Sequence, residues 1–361
     1  MIDGKEVVLG HLKRAVEVRV SDIFIGAGRK VTFKIDGTLI AQNGEVLTPD
    51  YANVLISSLY ELAKRPMEKF SESGDDDFPL TIPGVARFRV NTYRQRSTMA
   101  AIIRVVLFEI PNYSDLNIPD AVMNIAKENN GLALVTGPAG SGKSTTLACV
   151  IDAINKTRNS HIITLEDPIE FLHKDNKSLV SQREIYTDTN SYADALRAAL
   201  RQSPDIILLG EMRDHETVRT AITAAETGHL VISTLHTIGA ANTVDRIIDI
   251  FPPEQQQQIR VQLSMSLKMV VTQRLVKHIN GKSVPAFEVM NVNSAIRNII
   301  REGKTHQINA VIQTSSAEGM ISLDAYVLGL LKKGEISPET AMTNAVNNDQ
   351  MQQQIKSLGL M

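Results

Sequence analysis

Between residues 132 and 235, short apolar runs alternate with stretches whose apolar positions recur every three or four residues. The runs at 132–136, 161–165, 206–209 and 230–235 read as buried strands, since they are too short for helices and rich in Ile, Leu and Val. Helices are predicted over 144–155, 192–202 and 215–226. In the first of these, Leu147, Val150, Ile151 and Ile154 fall at i, i+3, i+4 and i+7. Strand and helix in alternation predict an α/β domain with a parallel sheet and helices on its faces. Ligands in such sheets bind beyond the carboxyl ends of the strands, so the functional residues belong there. From about residue 254 onward the tail reads as mainly helical.

The first 110 residues have a different rhythm, that of a mixed α+β domain. Ser21–Ile25 and Val31–Ile35 look like short strands, the second running into Asp36-Gly37, a hairpin-turn signal. The stretch from Tyr51 to Lys69 is helical in pattern, with Leu55, Leu59 and Leu62 along one side. Ala86–Asn91 and Met99–Phe108 read as strands joined by a polar turn around Tyr93–Ser97. The acidic run Asp75-Asp76-Asp77 is most simply a solvated loop. Pro111-Asn112-Tyr113-Ser114-Asp115, with Pro119 behind it, makes 111–119 a linker and leaves 120–361 as the second domain.

Composition narrows the classes. The 361 residues are enough for two cores, and 38 basic against 40 acidic residues disfavour bulk-charge binding to nucleic acid or membrane. No apolar run reaches the ~18 residues that span a bilayer, and the N-terminus has no signal-peptide core. A soluble, cytoplasmic protein is expected. The single cysteine, Cys149, falls among the apolar positions of a predicted helix and is expected to be buried.

The strongest chemical signal is Gly137-Pro138-Ala139-Gly140-Ser141-Gly142-Lys143-Ser144, followed by Thr145, which matches G-x-x-x-x-G-K-[ST] between a strand and a helix. In that context backbone N–H groups cradle phosphates, Lys143 reaches the β/γ oxygens and the Ser144 hydroxyl can ligate Mg²⁺. The residues therefore predict nucleoside triphosphate binding.

Two other strands end in acids: 161–165 runs into Glu166-Asp167-Pro168, and 206–209 into Gly210-Glu211-Met212-Arg213-Asp214. Carboxylates there serve the metal and the attacking water in phosphate-loop proteins. Many such proteins carry Asp-Glu at the second position. Here Gly210 leaves Glu211 as the only acid, so Glu166 or Asp167 must supply any second carboxylate. His229 and His236 bracket the strand 230–235, with His236 on the phosphate side, where it could sense the γ-phosphate. Neither has a second histidine or cysteine at zinc-ligand spacing. Arg87, Arg89, Arg94, Arg96 and Arg104 crowd the end of the first domain. A solvated basic face is one reading; a nucleic-acid surface is another but has only Phe88 and Tyr93 for stacking; a source of an arginine that stabilises phosphoryl transfer across a subunit boundary fits better. The segment 295–304 is a short amphipathic helix with Ile296, Ile299 and Ile300 on one face and Gly303 as C-cap.

Together GPAGSGKST at 137–145, ITLEDPIEF at 163–171, ALRAALRQSPDIILLGEMRD at 195–214 and TGHLVISTLHT at 227–237 resemble the Walker A, aspartate-box, Walker B and histidine-box motifs of the hexameric secretion and pilus ATPases. AIRNIIREGKTHQI at 295–308 resembles the AIRNLIRE signature of the type IV pilus retraction (PilT) family. The resemblance implies a PAS-like first domain before a RecA-like ATPase domain, ATP and Mg²⁺ as ligands, and a homohexamer. It also implies work at the cytoplasmic base of a pilus, docked on an inner-membrane platform protein, with no nucleic-acid partner and no direct membrane insertion. By motif position, Glu166 would polarise the attacking water and Glu211 would hold Mg²⁺ through water. His229 and His236 would couple phosphate state to domain movement, and Arg89, Arg96 and Arg104 would be the cross-domain arginines. Phe24, in SDIFI, stands where the family commonly has histidine. Extension and secretion relatives usually carry a four-cysteine zinc module, which a chain with one cysteine cannot build. Three other readings stay open on the residues: an extension or secretion ATPase, a RecA-like DNA translocase, and a nucleotide-shaped regulatory ring.

Overall fold

The computed structural model describes residues 3–35, 37–106 and 110–360, which divide into two units. One is Met1–Glu109 with Glu170–Leu172; the other is Ile110–Ile169 with His173–Met361.

The first unit begins with helix α1 (Gly4–Glu17), followed by β1 (Asp22–Gly26), β2 (Thr32–Ile35), β3 (Thr38–Ala41), α2 (Pro49–Ala63), α3 (Glu68–Ser73), β4 (Asp75–Ile82), β5 (Ala86–Gln95) and β6 (Thr98–Val106). Its strands form an antiparallel sheet in the order β3-β2-β1-β6-β5-β4. One face of that sheet and the inner sides of α1 and α2 enclose Leu12, Ile23, Phe33, Leu55, Leu59, Phe88 and Ile103.

The expected helix 51–69 is broken at Lys64, which takes the left-handed conformation (φ 51°) that ends α2. The acidic run is no solvated loop: it opens β4, and Asp76 is buried. Arg65 donates to both Asp76 carboxylate oxygens at 2.8 and 2.9 Å, and Lys69 lies 3.2 Å away. Burial pushes the Asp76 carboxyl up, but Arg65 and Lys69 outweigh it and hold the group below its ordinary range. The β5–β6 connection is a two-residue hairpin through Arg96 and Ser97, both at positive φ, a turn matched to strand twist. Two sequence signals, Asp36 of the first hairpin turn and the last residues of the strand expected to run to Phe108, lie outside the described residues.

The second unit runs through α4 (Asp120–Met123), β7 (Gly131–Thr136), α5 (Lys143–Thr157), β8 (His161–Glu166), β9 (Leu179–Glu184), α6 (Tyr192–Ala199), β10 (Ile206–Leu209), α7 (His215–Glu226) and β11 (Leu230–Leu235). There follow α8 (Ala240–Asp249), α9 (Pro253–Ser266), β12 (Leu267–Lys277), β13 (Ser283–Asn291), α10 (Ser294–Glu302), α11 (Ile308–Thr314), α12 (Leu323–Lys332), α13 (Pro338–Asn344) and α14 (Asn348–Ser357). The sheet order is β13-β12-β7-β11-β10-β8-β9, parallel except for β13. Alternate residues of each strand feed two cores, as the strand period requires. Ala133, Val135, Ile162, Ile206 and Leu208 pack on α5, with Cys149 buried among them. Leu132, Leu134, Ile163, Leu165, Ile207 and Leu209 pack on the opposite face with α6 to α11.

The tail is less helical than its composition suggests, since β12 and β13 extend the sheet beside β7. Residues 110–119 group with the second unit, and Ile118 is buried in it. In α10 the three isoleucines are buried, Asn293 caps the N-terminus and Gly303 ends the helix at φ 72°. No helix among the described residues is long and apolar enough to cross a membrane.

Candidate active site

At the carboxyl end of β7 the chain turns with Gly137, Gly140 and Gly142 at φ 141°, 75° and 87°. Close approach fixes the first: a Cβ on Gly137 would lie 2.1 Å from the Gln273 carbonyl oxygen of β12. Gln273 also accepts from Thr146 Oγ1 at 2.7 Å, so β12 is the back wall of the loop. Pro138, Ala139 and Gly140 are exposed, Ser141 and Lys143 are buried, and Ser144 and Thr145 are half-buried in the first turn of α5. The Lys143 ammonium donates to the carbonyls of Gly137 and Pro138 at 2.9 Å each. A glycine arch, a lysine folded inside it and the N-terminus of a long helix fit a phosphate chain. The Ser144 hydroxyl suits a divalent ion beside it.

Glu166 ends β8 on the face that Ile162 turns toward α5, because successive strand residues alternate. Its Oε1 accepts from Thr164 Oγ1 at 2.6 Å and from Gln182 Nε2 at 3.2 Å. The chain then turns at Asp167-Pro168, a cis peptide.

Glu211 follows β10 in a turn pinned to both neighbouring strands. Gly210 N–H donates to the Leu165 carbonyl at 2.7 Å, and Thr234 Oγ1 donates to the Gly210 carbonyl at 2.5 Å. The Glu211 carboxylate pairs with Arg213 Nε at 2.5 Å and lies 3.5 Å from His236 Nε2. These groups border a cleft of about 370 Å³ shared with Thr234, Thr237 and Arg246.

The absent acid at 210 has a steric reason. A Cβ there would lie 2.7 Å from the Tyr192 hydroxyl, 3.3 Å from the Leu165 carbonyl and 3.4 Å from Glu166 Cα. Tyr192 is a residue that sequence reasoning missed. Burial, then the charges of Glu211, Asp167 and Glu166, push its phenol far above the ordinary value, so it stands among the carboxylates as a neutral hydroxyl. Gln182 was missed as well, because β9 has too few apolar residues to announce a strand.

The two histidines part company. His236 joins Glu211 at the carboxyl end of β11. His229 precedes the strand at its amino end, where its Nδ1 lies 3.0 Å from the Ala224 carbonyl. A six-residue strand puts ~20 Å between the two positions, so His229 lies outside this chain's own phosphate end. The arginine candidates lie on the first unit. Arg89 Nε donates to Asp77 at 3.0 and 3.1 Å, and Arg104 Nε donates to Asp22 at 2.9 Å. Arg96 sits at the β5–β6 hairpin tip.

The profile of the family described as type II/IV secretion system protein matches residues 5–314. The type IV pilus retraction ATPase PilT of Pseudomonas aeruginosa is 45% identical over 325 residues, which is 90% of this chain and 94% of that protein. A twitching motility protein of Neisseria gonorrhoeae is 48% identical over 283 residues, 78% of this chain and 76% of its own. The crystal structure of the pilus retraction motor PilT with bound ADP matches at a TM-score of 0.89 and 44% identity, covering 96% of this chain and 98% of that one. The ATPase DotB of Legionella pneumophila matches at a TM-score of 0.79 and 27% identity, over 94% of each chain. The fold is thus the two-part fold of these ATPases, a sheet domain followed by a phosphate-loop domain, and the chain belongs to the type II/IV secretion system protein family and, within it, to the type IV pilus retraction ATPases.

Proposed function

We propose that this chain hydrolyses ATP to drive retraction of a type IV pilus. Family membership makes it an ATPase. The observation that carries the retraction reading is its 45% identity to a retraction ATPase over 90% of its length.

In this reading residues 137–145 bind the triphosphate. Lys143 leaves the carbonyls of Gly137 and Pro138 for the β/γ oxygens, exchanging neutral acceptors for charged ones. Ser144 and, through water, Glu211 are the residues that would hold Mg²⁺, which when bound neutralises phosphoryl charge. Glu166 orients the attacking water and takes its proton. His236, in reach of Glu211, responds to loss of the γ-phosphate. Of the arginines, Arg96, exposed at its hairpin tip, is the one this reading assigns to a nucleotide of a neighbouring subunit. Arg89 and Arg104 would first have to release Asp77 and Asp22. The working form is a homohexamer at the cytoplasmic base of the pilus, docked on an inner-membrane platform protein, with no nucleic acid bound and no segment inserted in the membrane.

The test is a count of surface pili per cell, by electron microscopy, after deletion of the gene in its source organism. More pili, corrected by the intact gene but not by Glu211→Gln, support retraction. Fewer or none would mean an extension motor instead.

A further inference from the structure

Four polar side chains interrupt an apolar surface where β8 meets β9. The two strands pair in parallel with Thr164 opposite Gln182 and Glu166 opposite Glu184. Thr164, Glu166, Gln182 and Glu184 therefore share the face that looks toward α5, directly above Ile162 and Val180, which pack in that core. Thr164 has no accessible surface and Gln182 is half-buried. Polar groups at such a position destabilise the fold unless they are bonded, and both of these donate to one atom, Glu166 Oε1.

The amide of Gln182 has only one sensible orientation. Its oxygen accepts the backbone N–H of His173 at 2.8 Å, a group that can only donate. Its nitrogen must then face the carboxylate. Two donors on one oxygen restrain the rotamer of the glutamate at the end of its strand. Strand β9 lies at the sheet edge and carries none of the loop or strand-end motifs; it brings this amide to Glu166, with Glu184 in the position opposite.

We propose that Gln182 is a positioning residue for the hydrolytic carboxylate, clamped by the His173 backbone and holding Glu166 in the orientation that serves the attacking water. The proposal rests on the reading of Glu166 given above.

Two variants of the full-length chain test it, Gln182→Met, which keeps volume and removes the donor, and Gln182→Glu, which keeps shape and puts a second carboxylate beside Glu166. The measurements are steady-state ATP turnover from pH 5 to 9, nucleotide Kd and thermal midpoint. Both variants are expected to lose roughly tenfold to a hundredfold in kcat, the range of a misplaced catalytic group, with Kd within about twofold. Only Gln182→Glu moves the acid limb of kcat to higher pH, because two adjacent carboxylates share a proton. Charged groups near Glu166 include Asp167 beside it in the chain, Glu184 opposite it on β9, and Glu211 with Arg213, which surround the Tyr192 hydroxyl together with it. All are unchanged in both variants, so the shift reports position 182.

Wild-type kcat in Gln182→Met, or an unmoved acid limb in Gln182→Glu, overturns the proposal. So does a parallel loss of nucleotide affinity and thermal midpoint, which marks a scaffold residue. Glu166→Gln is the control. If it turns over ATP like the wild type, the reading of Glu166 fails first. If it is inactive while Gln182→Met is normal, only the role of Gln182 fails.

Discussion

The two ends of one parallel sheet carry similar residues to different ends. At the amino end, polar groups close the connections between strands. The Asp205 carboxylate accepts the His161 N–H at 2.7 Å, His161 Nδ1 lies 3.0 Å from the Gln202 carbonyl, and His229 Nδ1 lies 3.0 Å from the Ala224 carbonyl. At the carboxyl end, charged groups face one another or a cleft: Lys143 inside its loop, Glu166 beneath two donors, and Glu211 between Arg213 and His236. Histidine on its own therefore says little. The end of the strand decides whether it tethers a loop or joins the chemistry.

Substitutions can break that contrast. Lys143→Ala should do most, lowering turnover by about 10²–10³-fold or more and abolishing nucleotide binding, since the loop loses its only buried cation among the described residues. Glu166→Gln should lower kcat by about 10²-fold or more while nucleotide still binds, as single-turnover and binding assays would report. The histidines give the direct comparison. His236→Gln is expected to cost roughly tenfold in turnover, and His229→Gln less than about twofold. An equal loss in both would erase the distinction between the two ends.

The smallest effect is on stability. Burial holds the His173 imidazole well below its ordinary value, at about 4. Between pH 6.5 and 4 the unfolded chain takes up a proton that the folded chain refuses. The contribution is full above 6.5 and lost as pH falls. His173→Gln should therefore lose less thermal midpoint than the wild type between pH 7 and pH 5, by roughly 3–5 °C in a scan.

Much of the contrast is legible in the sequence, because the elements at the carboxyl end announce themselves. A glycine loop between an apolar run and a 3.6-period helix, and acids just past two other apolar runs, place Lys143, Glu166 and Glu211 at strand ends. What stays hidden has physical causes. Helix α9 ends at Ser266 and β12 begins at Leu267, with no Gly or Pro between them to mark the change of period. Strand β9 is an edge strand with polar residues at its most important positions. The acidic run at 75–77 looks solvated because its cations, Arg65, Lys69 and Arg89, come from other elements. Tyr192 reaches Gly210 across some eighteen residues of chain, a contact no local pattern encodes.

The Gln273 carbonyl behind Gly137 also sets a timetable for synthesis. β7 lies between β11 and β12 in the finished sheet, so its glycine loop has no back wall until the chain has been made past Lys277. A nascent chain halted after β11 holds the whole GPAGSGKST signature and both strand-end acids, yet leaves one edge of β7 bare. Domains mature as units while they emerge from the ribosome. For this chain the nucleotide arrives at a site finished by a strand translated about 130 residues after the loop it supports.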